Sequence, residues 1–195
     1  EYRYNDENER TAIIYHDGSR VDMTYDSTGQ RKTVTDARLT IQNDYDDLDR
    51  PVYEFIPQLA RTLSMEYNKT SNRIALSING ARTTYSYDPL QRLVAMQHSS
   101  GASASWEFNP IGLVTRKVLP GGITADMTYD RRRLTGMTYK SSAGTPIESF
   151  NYFYDSIANI QQMTDGEGFT SYMSDAQNRL TSVSYPDQTS EFFTY

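Results

Sequence analysis

Large and polar residues alternate along this chain in short runs: Met23-Thr24-Tyr25, Tyr85-Ser86-Tyr87, Trp106-Glu107-Phe108 and Met127-Thr128-Tyr129. Period-two alternation is the mark of a half-buried β-strand, because residues i and i+2 share one face. The pairs Tyr2/Tyr4, Met23/Tyr25, Met65/Tyr67, Tyr85/Tyr87, Trp106/Phe108, Met127/Tyr129 and Tyr152/Tyr154 therefore predict ladders of aromatic and Met side chains on one face. The residues between them are Arg3, Thr24, Glu66, Ser86, Glu107, Thr128 and Phe153, so the opposite face is mostly polar.

The pattern repeats. An aromatic residue followed by Asp or Asn, a turn-like stretch, and usually an Arg and a hydrophobe begins at Tyr4, Tyr25, Tyr45, Tyr67, Tyr87, Phe108, Tyr129, Tyr154 and, degenerate, Ser174. The cleanest copy is Tyr87-Asp88-Pro89-Leu90-Gln91-Arg92-Leu93, and the steps between copies are 21, 20, 22, 20, 21, 21, 25 and 20 residues. Tyr195 falls a further 21 residues on, so nine periods fill the chain. Halfway through each period stands a second turn signal: Asp17-Gly18, Asn79-Gly80, Ser100-Gly101, Gly121-Gly122, Asp165-Gly166 or Pro186-Asp187-Gln188.

Each period thus reads as two strands and two turns, with no room for a helix. Residues 57–66 resemble a short helix in isolation, but the flanking period overrules it. The 25-residue step predicts a longer loop at Lys140 to Pro146. The fold class is all-β: tandem antiparallel hairpins in one array over residues 1–195, a piece of a larger polypeptide. Nine two-stranded units at about 4.8 Å per strand would span roughly 85 Å if flat. A sheet that wide is expected to curl into a spiral or a barrel or shell wall. Its first and last strands lack evident caps, which predicts edge-to-edge self-association.

Composition narrows function further. There is no Cys, so disulfide scaffolds are excluded, and no apolar run approaches the roughly 20 residues of a membrane-spanning helix. Net charge is −6, with 19 Lys and Arg scattered among 25 Asp and Glu, which argues against nucleic acid as a partner. His16 and His98 lie on different repeats without Cys or spaced carboxylates beside them, so neither zinc nor a Ser-His pair is expected. The acidic cluster Asp44, Asp46, Asp47 and Asp49 lacks the Gly and terminal Glu of an EF-hand and reads as a solvated turn. Glu107, Asp126 and Glu148 sit at unrelated repeat phases, so no acid/base pair is expected. No catalytic, cofactor or metal site is expected, and the chain does not read as an enzyme.

The Tyr-Asp motif, the Arg-Leu five and six residues later, the mid-repeat turn and the period of 20 to 22 residues resemble the YD repeats of Rhs, teneurin and toxin-complex C proteins. Asn178-Arg179-Leu180-Thr181-Ser182-Val183-Ser184-Tyr185-Pro186-Asp187 is similar to the bacterial Rhs consensus. The resemblance implies a hollow β-shell, which in bacterial members encloses a C-terminal toxin and in teneurins supports adhesion. Its partners would be neighbouring repeats and an enclosed toxin domain of the same polypeptide, and its place secreted or at the cell surface, by way of a bacterial secretion system. The self-cleaving C-terminal core of that family has no counterpart here.

The repeat motif comprises Tyr25, Asp26 and Arg31; Tyr45, Asp46 and Arg50; Tyr87, Asp88 and Arg92; Tyr129, Asp130 and Arg133; Tyr154 and Asp155; and Arg179. Asp at a strand end can accept turn amides, and Arg can lie over a neighbouring Tyr ring or pair with an Asp of the adjacent unit. The competing function is carbohydrate or receptor binding through exposed aromatics, for which Trp106 is the possible stacking residue.

Overall fold

The computed structural model describes residues 1–195 and places them in two units, Glu1–Gly101 and Ala102–Tyr195. The first holds β1 (Tyr2–Tyr4), β2 (Arg10–Ile14), β3 (Arg20–Tyr25), β4 (Arg31–Thr35), β5 (Thr40–Tyr45), β6 (Pro51–Ile56), β7 (Arg61–Tyr67), β8 (Arg73–Ile78), β9 (Ala81–Tyr87) and β10 (Leu93–His98). The second holds β11 (Ser103–Phe108), β12 (Val114–Val118), β13 (Thr124–Asp130), β14 (Arg133–Lys140), β15 (Pro146–Tyr154), β16 (Ile160–Thr164), β17 (Phe169–Ser174), β18 (Leu180–Ser184) and β19 (Ser190–Phe192). In each unit every strand pairs antiparallel with the next in the chain. The chain is all-β and made of tandem hairpins, as the alternation predicts.

Register fixes the two faces. On one, Met23 stands opposite Val34 and Val34 opposite Ile41, while Met65 meets Leu76 and Tyr85 meets Met96. In the second unit Met127, Met137 and Phe150 line up, as do Tyr152 and Met163. The other face carries Thr24 opposite Thr33, their hydroxyls 2.7 Å apart, and Thr84 opposite Gln97. Met23 and Met127 are buried, each burial contributing about 1.5–3 kcal/mol. Two small residues, Ala12 and Ala75, are buried on the polar face beneath longer neighbours. Glu54 and Lys117 interrupt the apolar face, opposite Leu63 and Trp106 respectively.

Both kinds of turn follow from local chemistry. In the motif turn after Tyr25, Gly29 N–H donates to the Asp26 carbonyl and Asp26 N–H to the Gln30 carbonyl, with Gly29 at φ +83°. That is a type I turn closed by a left-handed residue. The same left-handed position, four after the aromatic, is taken by Asp49, Ser71, Gln91, Ala158 and Asn178 in other repeats. Among the mid-repeat turns, Asn79-Gly80 is a two-residue loop with both φ positive, as that dipeptide predicts. Asp165-Gly166 departs from expectation, because the positive φ falls on Gly168 rather than Gly166.

Two other local expectations are settled by the flanking strands. Over residues 57–66 a helical preference survives only as a single 3-10 turn, Pro57–Leu59, before β7 begins at Arg61. The 25-residue step does not produce a longer loop. Ser141 N–H donates to the Thr145 carbonyl and Gly144 N–H to the Ser141 carbonyl, an ordinary turn, and the added residues lengthen β14 to 8 and β15 to 9 residues. Extending a ladder pairs each added amide, whereas a loop leaves it to solvent.

Sequence periodicity gives no hint of a third feature. Thr24 stands opposite Thr33 but Tyr25 opposite Arg31, so Lys32 is an extra residue opposite the motif aromatic. The same bulge recurs opposite Tyr67, Tyr87, Tyr129, Tyr154 and Ser174. A bulge at a fixed phase bends and twists each hairpin at the same place.

Candidate functional site: the turn ladder of the motif residues

The motif residues gather at the turns. Asp26 Oδ1 accepts from Thr28 N–H at 2.9 Å and Gln30 N–H at 3.0 Å. Asp46 accepts from Leu48 and Arg50, Asp88 from Leu90 and Arg92, Asp155 from Ile157 and Asn159, and Asp175 from Gln177 and Arg179. Asn68 and Asn109 do the same with a neutral carboxamide. Asp130 differs, because its turn is one residue shorter: it ends β13 opposite Arg133, whose guanidinium reaches its carboxylate at 2.9 Å.

These bonds hold several carboxyls below the usual carboxylate range. For Asp26 the leading cause is the Thr28 hydroxyl; for Asp46 it is the Arg50 guanidinium; for Asp88 and Asp175 it is the backbone amide of Arg92 and of Arg179. At Asp155 desolvation is the largest single influence and opposes the shift, but the hydrogen bonds from Asn159, Ile157 and Ala158 together outweigh it.

The arginines close their own turns. Arg50 meets Asp46 at 2.6 Å, Arg92 meets Asp88 at 2.6 Å, and Arg179 meets Asp175 at 2.7 Å. The carboxylate partner is therefore in the same unit, not the adjacent one. The cationic face does cross to the next repeat: the guanidinium carbon lies 4.7 Å from the Tyr67 ring centre for Arg50, 5.5 Å from Tyr154 for Arg133 and 4.8 Å from Tyr195 for Arg179. Arg31 stands one residue past the arginine position, which Gln30 fills, and it opens β4 with an exposed side chain.

Six of the motif tyrosines fasten their repeat to the preceding one in the same way. Each hydroxyl donates to the backbone carbonyl of the residue that follows the preceding turn: Tyr25 to Arg10, Tyr45 to Arg31, Tyr67 to Pro51, Tyr87 to Arg73, Tyr129 to Val114 and Tyr154 to Leu134, over 2.7–3.1 Å. Burial pushes the Tyr129 phenol above its ordinary pKa.

A second ladder runs beside it. The side chain five after one aromatic donates to the side chain four after the next: Gln30 to Asp49, Arg50 to Ser71 at 3.1 Å, Asn72 to Gln91, and Asn159 to Asn178 at 3.0 Å. The only trace of it in the sequence is a polar residue at a fixed phase.

The remaining candidates lie apart. Trp106 is half-buried in β11 opposite Lys117. His98 accepts from Ser100 N–H at its own turn, and His16 is an exposed turn residue. Within the acidic cluster, Asp44 pairs with Lys32, Asp46 with Arg50, and Asp49 accepts from Gln30, so the carboxylates face different partners.

No family model and no curated protein matches the sequence. Among solved structures, that of TcdB2-TccC3 without its hypervariable C-terminal region is 19% identical, with a TM-score of 0.51, over 85% of this chain and 9% of that one. That of the Photorhabdus luminescens Tc holotoxin pore, carrying a TccC3 variant, is 12% identical, with a TM-score of 0.41, over 93% of this chain and 13% of that one. The first likeness shows a shared fold, and this chain spans about a tenth of the length of the solved chain.

Proposed function

We propose that this chain, which has the tandem-hairpin fold seen in the toxin-complex YD-repeat proteins, is a non-catalytic section of a repeat-built wall in a longer polypeptide. The wall encloses a C-terminal toxin or effector domain of that same polypeptide, which is secreted or displayed at a cell surface. One observation carries the reading. The recurrent Tyr, Asp and Arg side chains are engaged in closing turns and joining repeats, so they supply mechanical continuity. The residues 1–195 act as one array in which each repeat leans on its neighbour.

Cryo-electron microscopy of the full-length parent tests this. A hollow shell with density inside it, and these hairpins in its wall, is the expected result; hairpins forming an open surface around no cargo would overturn it.

A second reading, binding of carbohydrate or a receptor, draws on the half-buried Trp106 of the aromatic ladder. Titrating oligosaccharides while following Trp106 fluorescence separates the two, since only a stacking site quenches or shifts the indole.

A further inference from the structure

Asn68 stands at the motif position that Asp26, Asp46, Asp88, Asp155 and Asp175 fill in other repeats, and it opens the triplet Asn68-Lys69-Thr70. Asn-x-Thr is the acceptor of N-linked glycosylation, a modification of surface loops in exported proteins. Of the ten asparagines, Asn68 alone has Ser or Thr two residues on. A three-residue match is weak by itself, and the geometry of this turn adds the independent support.

The turn holds the carboxamide by its oxygen alone. The Thr70 hydroxyl donates to Asn68 Oδ1 at 2.8 Å, and the Thr70 and Asn72 amides donate to the same oxygen at 3.0 and 2.9 Å. Nδ2 has no hydrogen-bond partner. Asn68 is only half-buried, and Lys69 and Thr70 are exposed, so the nitrogen and the hydroxyl can be reached from solvent. A sugar joined to Nδ2 leaves Oδ1 an amide acceptor, so all three bonds that close the turn survive the modification. At Asp26 the Thr28 hydroxyl makes the same contact at 2.7 Å, but there the second atom is an oxygen and cannot accept a glycan.

Asn109 provides the contrast within the chain. It closes its turn likewise, accepting from Ile111 N–H at 3.2 Å and Leu113 N–H at 2.9 Å. Glu66 and Glu107 stand two residues before Asn68 and Asn109, and bacterial oligosaccharyltransferases select an acidic residue there. The two turns therefore share acid, aromatic and cap, and differ in Lys69-Thr70 against Pro110-Ile111.

We propose that Asn68 is an N-glycosylation acceptor which the folded chain presents ready for modification, beyond the end of β7 on the edge formed by the motif turns. Nδ2 displaces the diphosphate from C1 of a lipid-diphosphate-linked oligosaccharide. The Nδ2–C1 bond forms, the C1–O bond breaks, one Nδ2 proton is lost and the lipid diphosphate leaves. Only the place of the modification rests on the secreted or surface-displayed reading above; acceptance by the purified chain does not, so either can fail alone.

The test incubates the folded 195-residue chain with a bacterial oligosaccharyltransferase and a lipid-diphosphate-linked oligosaccharide, followed by intact mass and by mass sequencing of its peptides. One glycan on Asn68 is expected, with none on Asn68→Gln or Thr70→Ala and continued addition on Thr70→Ser. Pro110→Lys combined with Ile111→Thr should add a second glycan, on Asn109. The modified chain should melt at the temperature of the unmodified one, because Oδ1 keeps its three donors. No addition to the folded chain, addition only after unfolding in urea, undiminished addition to Thr70→Ala, no second glycan in the double variant or a lowered melting temperature would each overturn the proposal.

Discussion

The hydroxyl of Tyr129 donates to the backbone carbonyl of Val114 at 2.8 Å, and this one bond ties the end of β13 to the start of β12, one motif earlier. The phenol also lies 3.8 Å from the Met127 sulfur on its own strand. The motif tyrosine is thus at once a ladder residue, shielding its i−2 neighbour, and the fastener between consecutive turns. That dual use accounts for a Tyr rather than a Phe at most copies of a position that burial alone would not distinguish.

Tyr129→Phe keeps the ring and removes the bond, and is expected to cost about 1 kcal/mol, measured by urea unfolding. Tyr129→Ala also empties the ring's place and should cost about 3 kcal/mol or more. If the two variants lost the same amount, the ring would contribute nothing beyond its hydroxyl.

Arg50 closes its own turn on Asp46, reaches Asn68 and Ser71 of the next turn, and covers the Tyr67 ring. Arg50→Lys keeps the charge but not the fork. Both Arg50→Lys and Arg50→Ala are therefore expected to lower the melting temperature by a few degrees. Arg31→Ala, at an exposed strand start, should leave it unchanged, and differential scanning calorimetry of the three variants decides.

The turn carboxyls of Asp26, Asp46, Asp88, Asp155 and Asp175 have pKa values lowered in the folded chain. A lowered folded pKa means that the unfolded chain binds protons first as pH falls, so their contribution is complete above the unfolded value of about 4 and is lost progressively below it. Melting temperature should therefore be flat from about pH 5 to 7 and fall steeply below about pH 4. Asp46→Asn should flatten part of that acid limb, whereas a limb of the same steepness would remove Asp46 as a contributor.

Gly80 and Gly136 resist substitution for different reasons. At Gly80 an added Cβ meets nothing within 4 Å, but φ is +84°, so Gly80→Ala should cost about 1–2 kcal/mol through the backbone alone. At Gly136 an added Cβ would stand 2.7 Å from Thr128 Oγ1 across the β13–β14 ladder. Gly136→Ala should therefore be rescued by Thr128→Ala, and denaturation of the double variant checks this, since no second-site change at Thr128 can rescue Gly80→Ala.

The sequence by itself determined the strands, the two turn types and the sorting of apolar and polar residues onto opposite faces. Those depend on local rules, namely alternation with period two and the turn chemistry of Asp, Asn and Gly, and the repeat states them nine times. Tertiary structure alone decided where Tyr129 and Asn159 find their partners, because Val114 and Asn178 lie a repeat away and hydrogen-bond direction leaves no period in the sequence. It also placed the extra residues of the long step in β14 and β15, since a paired amide is better satisfied than a looped one.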